Sequence, residues 1–181
     1  FCANLVPMLQ MKVLQQARGT RISMLDSMNL WIEIARDDLL AVMRSVDLII
    51  INDGEVRMLA EDDNLIRASR QLIAMVGCQT LIIKKGENGV LAFHGDDMIA
   101  LPAYPTENVV DPTGCGDSFA GTIAACLAAN NGPISKSELR DALIRATVTA
   151  SFTLESFGTS GLIGLTHVKF RLRVAHFYEI L

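Results

Sequence analysis

No basic stripe runs through this sequence. Its 181 residues carry 16 Lys and Arg against 20 Asp and Glu, a formal net charge of −4. That mild, dispersed acidity excludes the concentrated positive face with which proteins hold nucleic acid. No C-x-x-C pair is present either. The four cysteines, Cys2, Cys78, Cys115 and Cys126, are scattered, which argues against a zinc ribbon or a disulfide framework and suits reduced thiols in a cytoplasmic protein. The three histidines, His94, His167 and His176, form no H-E-x-x-H pattern, which leaves them structural or surface roles. The longest apolar run, near Phe119–Asn130, is too short to cross a bilayer, so no membrane association is expected. Phe1-Cys2-Ala3-Asn4 has neither an initiator Met nor the layout of a signal peptide, and reads as the interior of a longer protein. Internal repeats, low-complexity tracts and linkers are lacking as well. With half its residues hydrophobic, the chain suits one compact soluble domain over 1–181.

What is there alternates between two periods. Helical spacing of apolar residues runs from Pro7 to Arg18, from about Asp37 to Arg44 and from Asp63 to Val76, where Gly77 closes the helix. It returns behind the capping box Ser135-x-x-Glu138, continuing towards Glu155, and again behind Thr166. Between these lie short apolar runs that read as strands: Arg21–Asp26, Asp47–Ile51, Thr80–Lys85, Val90–Phe93 and Met98–Pro102. Ser27–Trp31 and Phe157–Gly161 read as loops, and Asn130-Asn131-Gly132-Pro133 as a stop. The alternation predicts an α/β fold, a mainly parallel sheet with helices on both faces. Ligands in such sheets sit beyond the strand C-termini, and this reading sends Asp26, Asn52, Lys84 and the Asp111 loop to that edge.

The strongest chemical signal is Asp111-Pro112-Thr113-Gly114-Cys115-Gly116-Asp117-Ser118-Phe119-Ala120-Gly121. Proline restricts the residue before it and offers no donor, so Asp111-Pro112 is a turn. From Asp117, apolar residues recur at three- and four-residue spacing, which marks a helix. A glycine-rich turn opening into a helix leaves backbone N–H groups free at the positive end of the dipole, an anion site. A plain capped helix uses the same residue types. Two familiar phosphate loops are excluded: no G-x-x-x-x-G-K-[ST] is present, and Phe119 stands where a dinucleotide fingerprint needs its third glycine.

This run resembles the C-terminal signature of the ribokinase-like sugar kinases, the pfkB family, usually D-[TP]-T-G-A-G-D-x-F, with Cys115 in place of the usual alanine. The resemblance implies ATP-dependent transfer of the γ-phosphoryl group to a sugar hydroxyl. Asp117 would accept the hydroxyl proton, and the N–H groups of Gly114, Cys115 and Gly116 would stabilise the transferring phosphoryl oxygens. Asn52 and Glu55 match the family's N-x-x-E element, which supports magnesium largely through water. Lys84-Lys85-Gly86-x-x-Gly89 resembles its K-x-G-x-x-G turn, which implies nucleotide contacts at Lys84, Gly86 and Gly89, with Thr113 and Gly158 also on the nucleotide side. Asp111 would help to hold a potassium-like monovalent cation. A nucleoside kinase of the same fold, or a non-catalytic module that binds nucleotide or serves assembly, is the alternative. The resemblance runs from about Asn4 to the end and lacks the family's early strands, small β lid and G-G signature. It therefore implies the C-terminal, nucleotide and phosphate portion of a kinase, completed by a homodimer partner or by a missing N-terminal half.

Overall fold

Three apolar runs become parallel strands in the computed structural model of the chain, which describes residues 1–130 and 132–181. They are β1 (Met24–Asp26), β2 (Leu48–Asn52) and β3 (Thr80–Lys84), paired in register from Met24 opposite Leu48 and from Leu48 opposite Thr80. Side chains alternate between the two faces of a strand. Leu25, Ile49, Ile51, Leu81 and Ile83 share one buried cluster, and Met24, Leu48, Ile50 and Ile82 on the other face are buried too. That is why these strands read as unbroken apolar runs.

The sheet has five strands in the order β1-β2-β3-β4-β5, with β4 at Val90–His94 and β5 at Asp97–Leu101. Residues 85–89 are too few for the crossover that a parallel pair needs, so β4 runs back along β3. Thr80 Oγ1 accordingly meets His94 Nδ1 at 2.8 Å, and the Gly95 N–H donates to the Gln79 carbonyl at 3.1 Å. The two-residue turn Gly95-Asp96 then makes β5 antiparallel as well. The α/β class and the parallel core are borne out, with an antiparallel hairpin added at one margin. On β5, Met98 and Ala100 are exposed while Ile99 and Leu101 are buried. At the opposite margin Cys2 bridges β1 in parallel, its N–H donating to Met24 O and its carbonyl accepting from Asp26 N–H, each at 2.8 Å.

The chain divides into two compact units, Phe1–Lys85 with Leu91–Ile99, and Gly86–Val90 with Ala100–Leu181. In the first unit, α1 (Pro7–Gln16) starts on a proline pre-set for the first helical turn. It is followed by α2 (Asn29–Ile34), α3 (Arg36–Met43), α4 (Asp53–Ala60) and α5 (Leu65–Val76). Leu39 and Met43 of α3, Val56 and Leu59 of α4, and Ala68 and Leu72 of α5 join the buried cluster on the sheet. The loop expected at Ser27–Trp31 is in fact the entry to α2: the Trp31 N–H bonds Met28 O at 3.0 Å and its indole donates to Asn4 Oδ1 at 3.2 Å. A six-residue helix is too short to display a helical period in the sequence.

The second unit holds α6 (Cys115–Ala128), α7 (Lys136–Leu154), α8 (Ser160–Ile163) and α9 (His167–Ile180). The Ser135–Glu138 capping box expected for α7 is present, and Thr166 Oγ1 caps α9 by accepting the Lys169 N–H. Two expectations shift. Helix α6 begins at Cys115, ahead of Asp117, and the loop expected at Phe157–Gly161 turns helical at Ser160. The stop expected around Asn130–Pro133 includes Asn131, which lies outside the described residues. Among the described residues no helix is long and apolar enough to cross a membrane.

Gly89 follows the 3₁₀ turn Gly86–Asn88 at φ +83°, and a Cβ there would lie 2.1 Å from Leu101 O. Backbone cannot yield as a flexible side chain does. Gly89→Ala is therefore expected to lower unfolding free energy by about 3 kcal/mol, from left-handed strain plus overpacking. Denaturant unfolding checks this, and an unchanged midpoint would remove the close approach.

Candidate functional site

Asp26, Asn52 and Lys84 are the last residues of β1, β2 and β3 and stand on one edge of the parallel sheet, Asn52 opposite Lys84. Asn52 ends the strand and caps the helix after it. Its Oδ1 accepts the Glu55 N–H at 2.8 Å, and Glu55 Oε2 accepts the Asn52 N–H at 2.8 Å. The N-x-x-E element is thus a capping box, which satisfies two otherwise orphaned donors. The cap draws the Glu55 side chain inward, where it is only 2% exposed. Burial pushes its carboxyl up to about 7. The Asn52 N–H and the positive charge of Lys84 act against that rise, and the Asp26 charge adds to it. Lys84 does not point freely outward: its Nζ lies 2.6 Å from Asp26 Oδ2, both side chains being largely buried. Three of the residues expected at the sheet edge, Asp26, Asn52 and Lys84, are therefore drawn together with Glu55, and Lys84 is engaged with Asp26.

A metal shell built from protein alone is not on offer. Among the described residues no group of three or more His, Cys, Asp or Glu side chains could hold an ion. Asn52 Oδ1 and Glu55 Oε2 are engaged in the cap. Any cation near this edge would therefore be reached through its water shell, as magnesium, which retains several waters, can be, and its charge would favour the ionised form of Glu55.

In the second unit, the residues expected to handle phosphate form a hydrogen-bonded turn. Asp111 Oδ1 accepts the Thr113 N–H at 2.9 Å. This bond and the Thr113 side chain hold the Asp111 carboxyl below the usual carboxylate range. Gly114, at φ +83°, is the N-cap of α6, a conformation that would cost an L side chain about 1–2 kcal/mol. Regular helix bonding resumes only at Ser118, whose N–H reaches Gly114 O at 2.9 Å. Among the described residues, the N–H groups of Gly114, Gly116 and Asp117 have no acceptor. These donors lie at the positive end of a 14-residue helix. Asp117 sits exposed in the same turn, and its carboxylate has no hydrogen-bond or ion-pair partner among the described residues.

Cys115 departs from expectation. Its N–H closes the turn onto Pro112 O at 3.1 Å, so it is not a free donor beside Gly114 and Gly116. Its Sγ lies 3.6 Å from Ala150 O on α7, and burial pushes the thiol up. The turn hangs on the end of α7: the N–H groups of Val110 and Asp111 both reach Leu154 O, at 2.9 and 3.2 Å. Thr153 Oγ1 donates to Ser118 Oγ at 2.9 Å. Gly86 and Gly89 bracket the turn after β3, and Gly158 lies between α7 and α8. Ser156 Oγ, two residues before it, is buried and makes no hydrogen bond among the described residues.

Sequence reasoning missed Ser118 and Thr153 as supports of the turn, and Glu155 and Arg173 as an ion pair with both oxygen–nitrogen distances at 3.0 Å. No local pattern signals contacts between helices so far apart in sequence.

A sequence model described as "pfkB family carbohydrate kinase" matches residues 7–163. A cytidine kinase from Thermococcus kodakarensis is 36% identical over 124 residues, 66% of this chain and 44% of that protein. Fructokinase-2 from Oryza sativa is 30% identical over 112 residues, 61% of this chain and 33% of that protein. The ribokinase of Thermotoga maritima superposes with a TM-score of 0.71 at 19% identity, covering 98% of this chain and 56% of its own. The chain thus spans less than half the length of these two curated relatives.

The raised Glu55 carboxyl has a consequence for stability. Its ordinary value is 4.5 and its folded value about 7, so the unfolded chain releases this proton first. The stability present below about pH 4.5 falls as pH rises to 7 and stays lower above it, by about 3 kcal/mol. Glu55→Gln keeps a capping-box side chain and cannot ionise. It is expected to match the natural chain at pH 4 and to exceed its stability by about 3 kcal/mol at pH 8. Denaturant titrations at both pH values check this, and an equal difference at each would show that Glu55 is not a buried acid.

Proposed function

This chain belongs to the pfkB family of carbohydrate kinases, and on that premise we propose that it supplies the phosphoryl-handling portion of an ATP-dependent kinase that phosphorylates a sugar hydroxyl. The observation that carries the reading is the start of α6, where three N–H groups, of Gly114, Gly116 and Asp117, and the Asp117 carboxylate have no partner among the described residues. Backbone donors aimed at transferring phosphoryl oxygens stabilise charge that develops in the transition state, about 3–4 kcal/mol for each donor removed in other enzymes. A carboxylate would compete with bound phosphate in this turn unless it handles a proton. Asp117 would accept the proton of the acceptor hydroxyl as it attacks.

The other residues take supporting roles. A magnesium ion bound with ATP supplies neutralisation of the phosphate charge. In the first unit, Glu55 would hold that ion's water shell, with Asn52 fixing the carboxylate by the cap. Lys84, paired with Asp26, would set the potential around Glu55. In the second unit, Thr113, the Gly86–Gly89 turn and Gly158 would border the nucleotide. Asp111 and the unpartnered Ser156 hydroxyl are hard oxygen donors that suit a potassium-like cation. A nucleoside acceptor is the second reading, favoured by the 36% identity to a cytidine kinase. Free cysteines throughout fit a cytoplasmic setting. The remaining strands and the acceptor contacts would come from further chain or from a second subunit.

Calorimetric titration with magnesium-ATP tests the anion site. Gly114→Val places a branched side chain in a left-handed backbone and is expected to abolish binding; binding that survives unchanged would overturn the assignment. In a chain completed to the length of its relatives, Asp117→Asn keeps the shape and loses the proton acceptor. It is expected to lower kcat by about 100- to 10,000-fold with ATP affinity unchanged. Turnover at the parent rate would leave Asp117 as a helix-start residue alone.

A further inference from the structure

Helix α9 follows the stretch that the family model matches, which ends at residue 163. One of its side chains reaches back to the end of α7, from which the glycine turn hangs. The Arg173 guanidinium holds both carboxylate oxygens of Glu155 at 3.0 Å and donates to Ser151 Oγ at 3.0 Å. It lies 3.6 Å from the centre of the Phe152 ring and 5.0 Å from that of Tyr104. Glu155 is the C-cap of α7. Its Oε1 also accepts the Thr106 hydroxyl at 2.7 Å, and Thr106 Oγ1 in turn accepts the Asn108 N–H at 3.2 Å. One residue before Glu155, the Leu154 carbonyl carries Val110 and Asp111. The approach to the glycine turn is thus fastened to the last turn of α7 at Thr106, Val110 and Asp111, and Arg173 fastens that turn to α9.

We propose that Arg173 is a positioning residue, which sets the Asp111–Gly116 turn through Glu155 without touching any ligand itself. The chemistry requires arginine. A planar fork meets both carboxylate oxygens at once and can stack between two rings, and a lysine can do neither. With Glu155 released, the α7 end loses its hold on Thr106 and the Leu154 carbonyl becomes free to tilt. The N–H groups of Val110 and Asp111 then lose their common acceptor, and the donors of Gly114, Gly116 and Asp117 lose their fixed direction. For nucleotide binding the inference rests on the reading of this turn as the phosphate site; for the turn itself it does not.

The experiment pairs amide hydrogen exchange with magnesium-ATP calorimetry on the full 181-residue chain, for the natural sequence, Arg173→Lys and Glu155→Gln. Both variants are expected to speed exchange at Val110 and Asp111 by about tenfold while β2 amides keep their protection, and to weaken ATP binding by a similar factor. Exchange at Val110 and Asp111 that stays unchanged, or that rises only in step with β2, would overturn the positioning role. Should Arg173→Lys fail to fold, Glu155→Gln decides by the same criterion. Faster local exchange with ATP affinity unaltered, or faster local exchange in a chain whose natural form binds no ATP, would sustain the positioning role and sink the phosphate-site reading instead.

Discussion

Taking a carboxyl group out of water at the end of an apolar sheet imposes a constraint, and in the first unit that group is Glu55. The neighbouring arrangement follows from it. A buried acid needs donors, and the Asn52 N–H supplies one because β2 ends where α4 begins. It also needs positive charge nearby. Lys84 supplies that because β3 pairs with β2 in a register that sets Lys84 opposite Asn52. Lys84 cannot be buried unpaired, and Asp26 completes the set from the end of β1. Three apolar strands thus finish in three polar residues that answer one another's desolvation. Slipping any strand by one residue would turn these side chains to the other face.

Features encoded within a few residues were legible in the sequence. Asn52-x-x-Glu55 and Ser135-x-x-Glu138 have the spacing of a capping box, and both fold as one. Pro7, Gly77 and Thr166 stand at the helix ends where their backbone chemistry puts them. The buried strands announced themselves as apolar runs because both faces are shielded. What escaped was either too short for a period or too long-range for a pattern. Helix α2 has six residues, and nothing in Ser27–Trp31 distinguishes a single turn from a loop. Lys84 and Asp26 lie 58 residues apart; their pairing depends on strand order, which no local spacing encodes. Arg173 and Glu155 likewise meet only because α9 lies against α7.

Cys115 shows how far a motif can be read without its surroundings. A thiol for a methyl is a small change in volume, and the turn accepts it. The extra sulfur, however, faces a carbonyl on α7, and the residue's N–H is engaged in the turn itself. Side-chain size at this position is therefore set by the contact between α6 and α7, and the anion donors on either side of it are set by the backbone. The two requirements share one residue and are independent of each other.

The two margins of the sheet are unlike, and the difference gives the architecture a direction. On the β5 side the outer strand of an antiparallel hairpin alternates exposed with buried residues, the finish of a surface that meets water. On the β1 side Cys2 has already taken up parallel pairing, so the ladder there is open to extension. Further strands can be added at that margin without disturbing registers already made. For protein engineering this sets a polarity of construction: grafted β-α-β units belong beyond the Cys2 bridge on the β1 side, whereas the Gly95-Asp96 hairpin is the place for inserted loops or tags.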